Sequence, residues 1–165
     1  MKSDPQDSLK AFCSHDHRDC SALALAAAHR ICAEKRLRLT PVRQRALEIL
    51  LESHKAIGAY DVLQRLNAEG LGSQPPIAYR ALEFLVSNGL AHRIEKLNAY
   101  VACMAAEEHH NPTFWICRKC RSVAETFGGQ SGAPLSDAAT SLGFSVERMV
   151  VEVEGLCNTC RETGP

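Results

Sequence analysis

Cys117-Arg118-Lys119-Cys120 is matched near the end of the chain by Cys157-Asn158-Thr159-Cys160. In each pair a spacing of two residues lets a tight turn aim both sulfurs at one ion, and two pairs complete the tetrahedral shell of a structural zinc. The 36 residues between the pairs exceed the roughly 15–20 of a compact zinc ribbon. We therefore predict a structural zinc on these four cysteines, with whole elements inside the loop that it closes. Two disulfides, a redox-active pair or unbound thiols are the alternatives.

The chain of 165 residues carries no net charge and includes eight cysteines. This length suits one ordinary domain, or two small domains that share a core surface. No stretch approaches the roughly 18 uninterrupted apolar residues of a membrane span, and the aspartates among the first twenty residues do not fit a signal peptide. We therefore expect a cytoplasmic protein, because thiols stay reduced there and cysteines serve metal binding more often than disulfides.

The charges are divided unevenly along the chain. Residues 21–100 carry 11 Lys and Arg against 7 Asp and Glu, whereas residues 101–165 carry 5 against 8. A basic part joined to an acidic part indicates that the first contacts a polyanion and that the second has another task.

Four helices are predicted in the basic part from their cap and stop signals. Ser21 is the expected N-cap of the first helix, and Thr40-Pro41 starts the second. Gly70 and Gly89 end the third and the fourth. The predicted ranges are 21–36, 40–53, 59–70 and 73–89.

The fourth predicted helix has two distinct faces, followed by a hairpin. Its inward stripe is Ala78, Ala81, Leu82 and Leu85, and its outward face is Tyr79, Arg80, Glu83 and Ser87. Two short alternating runs, 90–95 and 99–103, flank the turn at Lys96-Leu97-Asn98. Compact helices followed by a hairpin are the plan of a winged helix-turn-helix, whose last helix enters the major groove of DNA. A plain helical domain is the alternative.

Strand-like runs at 113–117 and 122–127 flank the first cysteine pair. A helix over 135–142 and a strand over 144–153 lead to the second pair. At about sixty residues this unit is too small to be stable alone, so metal and self-association are its expected supports. The predicted fold class is α+β, with an N-terminal winged helix-turn-helix and a small C-terminal α/β domain stapled by a zinc ion on four cysteines. The predicted division is a polar tail (1–20), the winged helix (21–103), a hinge (104–112) and a dimerisation and zinc-binding domain (113–165).

The tail contains four potential zinc ligands within eight residues: Cys13, His15, His17 and Cys20. A short Cys/His tract can bind metal, but this one lacks flanking apolar residues to fix a geometry. A mobile tail is the alternative.

Several stretches together carry a family resemblance. They are Leu39-Thr40-Pro41-Val42-Arg43, Ala59-Tyr60-Asp61-Val62-Leu63, the run from Pro75 to Leu85, Asn98-Ala99-Tyr100-Val101-Ala102-Cys103, and the two cysteine pairs. Over roughly residues 25–160 the chain resembles the ferric uptake regulator family of bacterial metal-dependent repressors, and in particular its zinc uptake regulator branch.

The resemblance implies a cytoplasmic homodimer that represses zinc-acquisition genes when zinc is bound. It implies a structural zinc on the paired cysteines and a second, regulatory zinc on His92, Cys103, His110 and Glu125. Two imidazoles, a thiolate and a carboxylate form a four-coordinate shell in which the sulfur favours zinc over iron or manganese. His109 competes with His110, and Glu107 or Glu108 with Glu125.

The resemblance also implies DNA contacts by Tyr60, Tyr79 and Arg80. Arg80 could donate to a guanine edge or to phosphate, and the tyrosines could pack on thymine methyls. The alternative for both tyrosines is half-buried packing. Ile77-Ala78 replaces the Thr-Val that usually precedes this Tyr-Arg, which removes a hydroxyl that could bond a phosphate.

An enzyme is the rival class. A zinc deaminase would need His-x-Glu and Pro-Cys-x-x-Cys, and the sequence contains neither. A catalytic zinc also keeps an open position for water, whereas both predicted ligand sets are four-fold. We therefore predict no catalytic residues.

Overall fold

The computed structural model describes residues 17–106, 111–127, 132–147 and 149–162. The first part contains helices followed by a hairpin: α1 (His17–Glu34), α2 (Pro41–Leu51), α3 (Ala59–Ala68), α4 (Pro75–Ser87), β1 (Ala91–Ile94) and β2 (Ala99–Ala102). The second part contains β3 (Pro112–Cys117), β4 (Val123–Phe127), α5 (Gly132–Ser141), β5 (Val151–Gly155) and α6 (Asn158–Glu162). The predicted mixture of helices and sheets is confirmed.

The helix ends follow the local signals in α2, α3 and α4. The Thr40 hydroxyl accepts from the backbone N–H of Arg43 at 3.5 Å, with proline at the first position of α2. After α3 and α4 the chain turns at Gly70 (φ 72°) and Gly89 (φ 73°), a left-handed conformation in which glycine carries no Cβ penalty.

The predicted start of the first helix was wrong. Helix α1 begins at His17, so the last residues of the predicted tail are helical and Ser21 lies inside the helix. The Ser21 hydroxyl donates to the carbonyl of Leu51 at 3.2 Å. A good capping residue was therefore used for a contact between helices, which local sequence does not reveal. Cys13 and His15 lie outside the described residues.

The core of the first part forms where α2, α3 and α4 pack together. The predicted inward stripe of α4 is buried, and its predicted outer residues Tyr79, Arg80, Glu83 and Ser87 are exposed. The stripe packs in one apolar cluster with side chains from α1, α2 and α3, among them Ile31, Leu47, Leu50, Val62 and Leu66.

Truncating this core is expected to be costly. Leu82 is fully buried at the centre of the cluster, so Leu82→Ala should lower the free energy of unfolding by about 2–5 kcal/mol through lost burial and a residual cavity. Leu23→Ala, at a side chain that is 73% exposed, should stay within about 0.5 kcal/mol of the parent. Denaturant unfolding of both variants measures the difference, and equal losses would contradict the assigned core.

Two small sheets follow the helices. Strands β1 and β2 pair antiparallel around a turn in which Asn98 takes φ 45°, and Ile57 extends this wing by pairing with Tyr100. The second sheet has the order β4-β3-β5, with β3 antiparallel to β4 and parallel to β5.

The predicted strand over 144–153 was wrong in its first half, because strand structure begins only at Val151. The register pairs Val151 with Thr113, which lies at the start of β3. Among the described residues, those just before Val151 lie outside this pairing and belong to no strand of the sheet. Their alternating apolar side chains, Phe144 and Val146, are exposed and do not mark a paired strand.

The two parts of the chain pack along a second apolar cluster. Its members are Ala56, Ile94, Ala99 and Val101 from the first part and Phe114, Ile116 and Val123 from the second. Backbone hydrogen bonds reinforce this seam, from Val123 N–H to the carbonyl of His54 (2.8 Å) and from Ala56 N–H to the carbonyl of Arg121 (3.1 Å). Among the described residues, no helix combines the length and the apolar run needed to cross a membrane.

Candidate metal centres and DNA-facing surface

Three of the predicted regulatory ligands meet where the wing contacts the second sheet. His92 lies on β1, Cys103 directly follows β2, and Glu125 lies on β4. Their candidate ligand atoms all lie within 4.8 Å of one another, and all three side chains are buried. The fourth predicted ligand, His110, lies outside the described residues, as do its competitors His109, Glu107 and Glu108.

Contacts with both parts of the chain hold these side chains in place. The His92 Nε2 atom lies 2.9 Å from Oε1 of Glu125, and the His92 ring packs against Phe114 with 5.1 Å between centroids. The backbone N–H of Met104 donates to the other Glu125 oxygen at 3.5 Å. The N–H of Cys103 donates to the carbonyl of Leu90 at 3.0 Å, which fixes the residue against the hairpin.

The thiol of Cys103 has a strongly altered acidity. Burial raises its pKa well above the usual range, and the charge of the Glu125 carboxylate raises it further. A metal ligand must lose this proton, so metal binding here would release it and would weaken as the pH falls. The donors present, one imidazole, one thiol and one carboxylate, fit a nitrogen, sulfur and oxygen shell for zinc.

The four cysteines of the two pairs converge at the far end of the second sheet. Cys117 ends β3, Cys120 lies in the turn before β4, and Cys157 and Cys160 lie at α6. Their sulfurs are all within 4.8 Å of one another. The Sγ atoms of Cys120 and Cys157 are 3.8 Å apart, and in a tetrahedron with zinc–sulfur bonds of about 2.3 Å two sulfurs lie about 3.8 Å apart. The geometry therefore fits a zinc ion held by four thiolates.

Backbone donors prepare this cluster for a cation. Burial raises the pKa of Cys117, but hydrogen bonds from the backbone of Cys120, Cys157 and Lys119 outweigh burial and lower it to about 6. Burial and the neighbouring thiols raise the pKa of Cys160 to about 12. Metal binding at these sulfurs would displace the protons that the thiols still carry. None of the six cysteines whose side chains the structure describes forms a disulfide, so the alternative of two disulfides receives no support.

The predicted DNA-contact residues lie on exposed surface. Tyr60 on α3 is 65% exposed and Tyr79 on α4 is 48% exposed, so both rings present a large part of their surface to solvent. Arg80 is exposed beside Tyr79 on α4.

Sequence reasoning missed two side chains that shape these sites. Phe114 forms the apolar wall against His92, and the consecutive apolar residues of the strand-like run 113–117 did not indicate which of them would face the wing. Arg43 lies over the ring of Phe84, 3.7 Å from its centroid, and donates to the carbonyl of Arg38 at 2.7 Å. Arg43 thereby joins the start of α2 to the helix that carries Tyr79 and Arg80.

The fold joins a winged helix-turn-helix to a small second part, with one cluster of candidate metal ligands between them and a second cluster, of four cysteines, at the far end of the second sheet. These features define the class of this protein. The chain belongs to the ferric uptake regulator family, whose model matches residues 34–154. It is 36% identical over 139 residues to the zinc uptake regulation protein of Escherichia coli, an alignment that covers 84% of this chain and 81% of that protein.

Solved structures show the same likeness. A zinc uptake regulator complexed with zinc and DNA superposes with a TM-score of 0.81 at 35% identity, covering 87% of this chain and 96% of that one. The structure of holo XcZur superposes with a TM-score of 0.76 at 35% identity, covering 86% of this chain and 99% of that one. The structure of apo XcZur superposes with a TM-score of only 0.50 at 37% identity, covering 87% of this chain and 99% of that one. The arrangement of this chain is therefore closer to the holo than to the apo form of that protein.

Proposed function

We propose that this chain is a zinc-responsive transcriptional repressor. With zinc bound, it binds operator DNA as a homodimer and shuts off zinc-acquisition genes in the bacterial cytoplasm. The observation that carries the proposal is the convergence of His92, Cys103 and Glu125, because these side chains come from both sides of the junction between the two parts.

The position of the ligands supplies the mechanism. His92 and Cys103 belong to the wing, and Glu125 belongs to the second sheet. A zinc ion held by all three would link the wing to that sheet in one relative orientation, and a ligand shifts an equilibrium towards the arrangement that it binds more tightly. The closer superposition on holo than on apo XcZur supports this reading.

We propose zinc as the metal at both clusters, one structural and one regulatory ion per chain. The thiol of Cys103 favours zinc over iron or manganese. His110 is the proposed fourth regulatory ligand. With four protein ligands each shell would be closed to water, which supports a regulatory rather than a catalytic use.

Self-association is supported by the apolar surface of the second part. Side chains there are large and exposed in the single chain: Trp115, Leu135, Leu142, Phe144, Val146, Val150 and Leu156. Strand β5 is also an edge strand, which offers unpaired backbone groups to a neighbour. We propose that residues 113–165 form the dimerisation domain, that 21–103 form the winged helix and that 104–112 form the hinge between them. A two-fold dimer would present two copies of α4 to a pseudo-palindromic operator.

Operator binding across a buffered free-zinc series, with bound zinc per chain recorded at each point, tests the proposal. The salt concentration must be held fixed, because phosphate contacts make the affinity salt-dependent. Binding should begin as occupancy rises from about one to about two zinc ions per chain. If occupancy rises while binding stays flat, the second site is not the switch. Sedimentation of the zinc-loaded protein tests the dimer.

Arg80→Ala should weaken operator binding by about 5- to 150-fold, as for loss of one base-edge contact of 1–3 kcal/mol. Arg65→Ala is the matched control, because it removes the same charge from α3, where the Arg65 guanidinium already pairs with Glu52. Titration of both variants at saturating zinc gives the comparison. Equal affinities for the two variants would remove Arg80 from the proposed interface.

A further inference from the structure

A single row of residues crosses the second sheet beneath the wing. Phe114 on β3 pairs with Glu125 on β4 and with Glu152 on β5. Paired residues in adjacent strands project from the same face of a sheet, and Phe114 packs here against the apolar residues of the wing. The row therefore presents two carboxylates to the wing, one on each side of a buried aromatic ring.

The carboxylate of Glu152 binds the tip of the wing. Its Oε1 accepts from the backbone N–H of Glu95 at 2.7 Å, and its Oε2 accepts from the N–H of Lys96 at 3.0 Å. Both donors lie in the turn between β1 and β2. Hydrogen bonds to a charged acceptor are stronger than those between neutral groups. These two hydrogen bonds join Glu152 to backbone groups that precede it in the sequence by 57 and 56 positions.

Strand β1 is thus held against the second sheet at both ends. At its first half His92 lies against Glu125, and directly after its last residue the turn is held by Glu152. Between the two, Ile94 is fully buried in the apolar seam. The contact between His92 and Glu125 belongs to the proposed regulatory cluster. The hydrogen bonds from Glu95 and Lys96 to Glu152 involve no proposed metal ligand.

We propose that Glu152 is a positioning residue that latches the wing to the second sheet independently of the regulatory zinc. The latch presets the arrangement that the regulatory cluster needs, and it thereby sets the zinc concentration at which the protein responds. This inference rests on the proposed function, since it concerns the same domain closure. The two hydrogen bonds of Glu152 join it to the backbone of Glu95 and Lys96, which are neither proposed metal ligands nor proposed DNA-contact residues.

The Glu152 latch and the regulatory zinc site stabilise the same closed arrangement, so loss of the latch should change the zinc dependence of operator binding in a specific way. If the closed arrangement is the minor one without zinc and the dominant one with it, removing the latch lowers the zinc affinity of the regulatory site. Sufficient zinc then restores closure. The free-zinc midpoint of operator binding should therefore rise, while the affinity at saturating zinc stays near that of the parent.

The experiment compares Glu152→Ala and Glu152→Gln with Glu154→Gln in the full-length protein. The alanine variant loses both acceptor oxygens, and the midpoint should rise about tenfold, in line with lost hydrogen bonds to a charged group. The glutamine variant keeps one acceptor and its shape, so an intermediate rise is expected. Glu154 lies on the same strand, and its oxygen is 3.8 Å from Lys96 Nζ in an exposed pair, which contributes little. Its variant should match the parent.

Amide hydrogen exchange in the zinc-loaded protein gives a readout independent of DNA. The N–H groups of Glu95 and Lys96 should exchange at least about tenfold faster in Glu152→Ala than in the parent or in the Glu154→Gln control. Unchanged exchange, a midpoint within twofold of the parent, or an equal rise in the control would overturn the latch. A parent chain whose operator binding ignores zinc would overturn the proposed function instead, and the amide exchange alone would then decide the latch.

Discussion

Cys103→Ser should abolish the zinc-dependent gain in operator affinity while leaving the fold intact. The coupling between an effector site and a second site is typically worth about 5- to 150-fold in affinity, and this gain is what should disappear. Serine has nearly the same shape, so the buried position next to Glu125 stays filled. The hydroxyl is a poor zinc ligand, however, because it does not supply the thiolate that the metal prefers. Operator titration at low and at saturating free zinc measures the gain.

Cys32→Ser is the matched control. Cys32 is also a buried thiol, 3% exposed against 2% for Cys103, but it lies on α1 in the helical core. It should keep the full zinc response, apart from a modest loss of stability from placing a hydroxyl among apolar side chains. If Cys103→Ser bound operator at the same free zinc as the parent, Cys103 would not be part of the switch.

Cys157→Ser should cost the second part of the chain its stability. Structural zinc sites contribute about 10–16 kcal/mol of apparent binding free energy in small zinc peptides, far more than a small sheet can replace. We expect bound zinc to fall by about one ion per chain, together with loss of the cooperative thermal transition of residues 113–165 and of the dimer. Zinc analysis, circular dichroism and sedimentation of the variant measure these changes.

Cys103→Ser is the comparison that separates the two clusters. Both variants lose one thiol from a candidate zinc site, yet only Cys157→Ser should unfold the sheet, because its cluster joins the end of β3 to α6. A chelator that strips both sites should reproduce the Cys157→Ser phenotype. Retention of the dimer by Cys157→Ser would show that the apolar surface alone holds the second part together.

The helices of the first part could be predicted because their signals are local. Thr40 with Pro41 starts α2, and Gly89 stops α4, through groups that lie within one turn of each helix end. The stripe of α4 is periodic and was buried as predicted. The cysteine pairs were readable for a similar reason, because a spacing of two residues prescribes a chelating turn whatever surrounds it.

The remaining features depend on neighbours that are distant in sequence. The extent of β5 towards the N-terminus follows where β3 begins, and the use of Ser21 inside a helix follows from a carbonyl on α2. The contact of Glu152 with the wing could not be predicted from the sequence for the same reason. Alternation over 151–154 places two glutamates on one face, but only the packing of the wing shows that one of them meets two backbone amides.

The parallel pairing of β3 with β5 gives the cysteine cluster a role in alignment. The two strands end side by side at Cys117 and Gly155, and the second cysteine pair begins two residues later. A metal on these sulfurs would hold the two strand ends together and thereby fix the register between β3 and β5. A slip of one residue in β5 would turn Glu152 away from the wing and would present a valine in its place. Whatever fixes the cysteines therefore also fixes the face of β5 on which Glu152 lies, so loss of the structural cluster should also release the turn of the wing from Glu152.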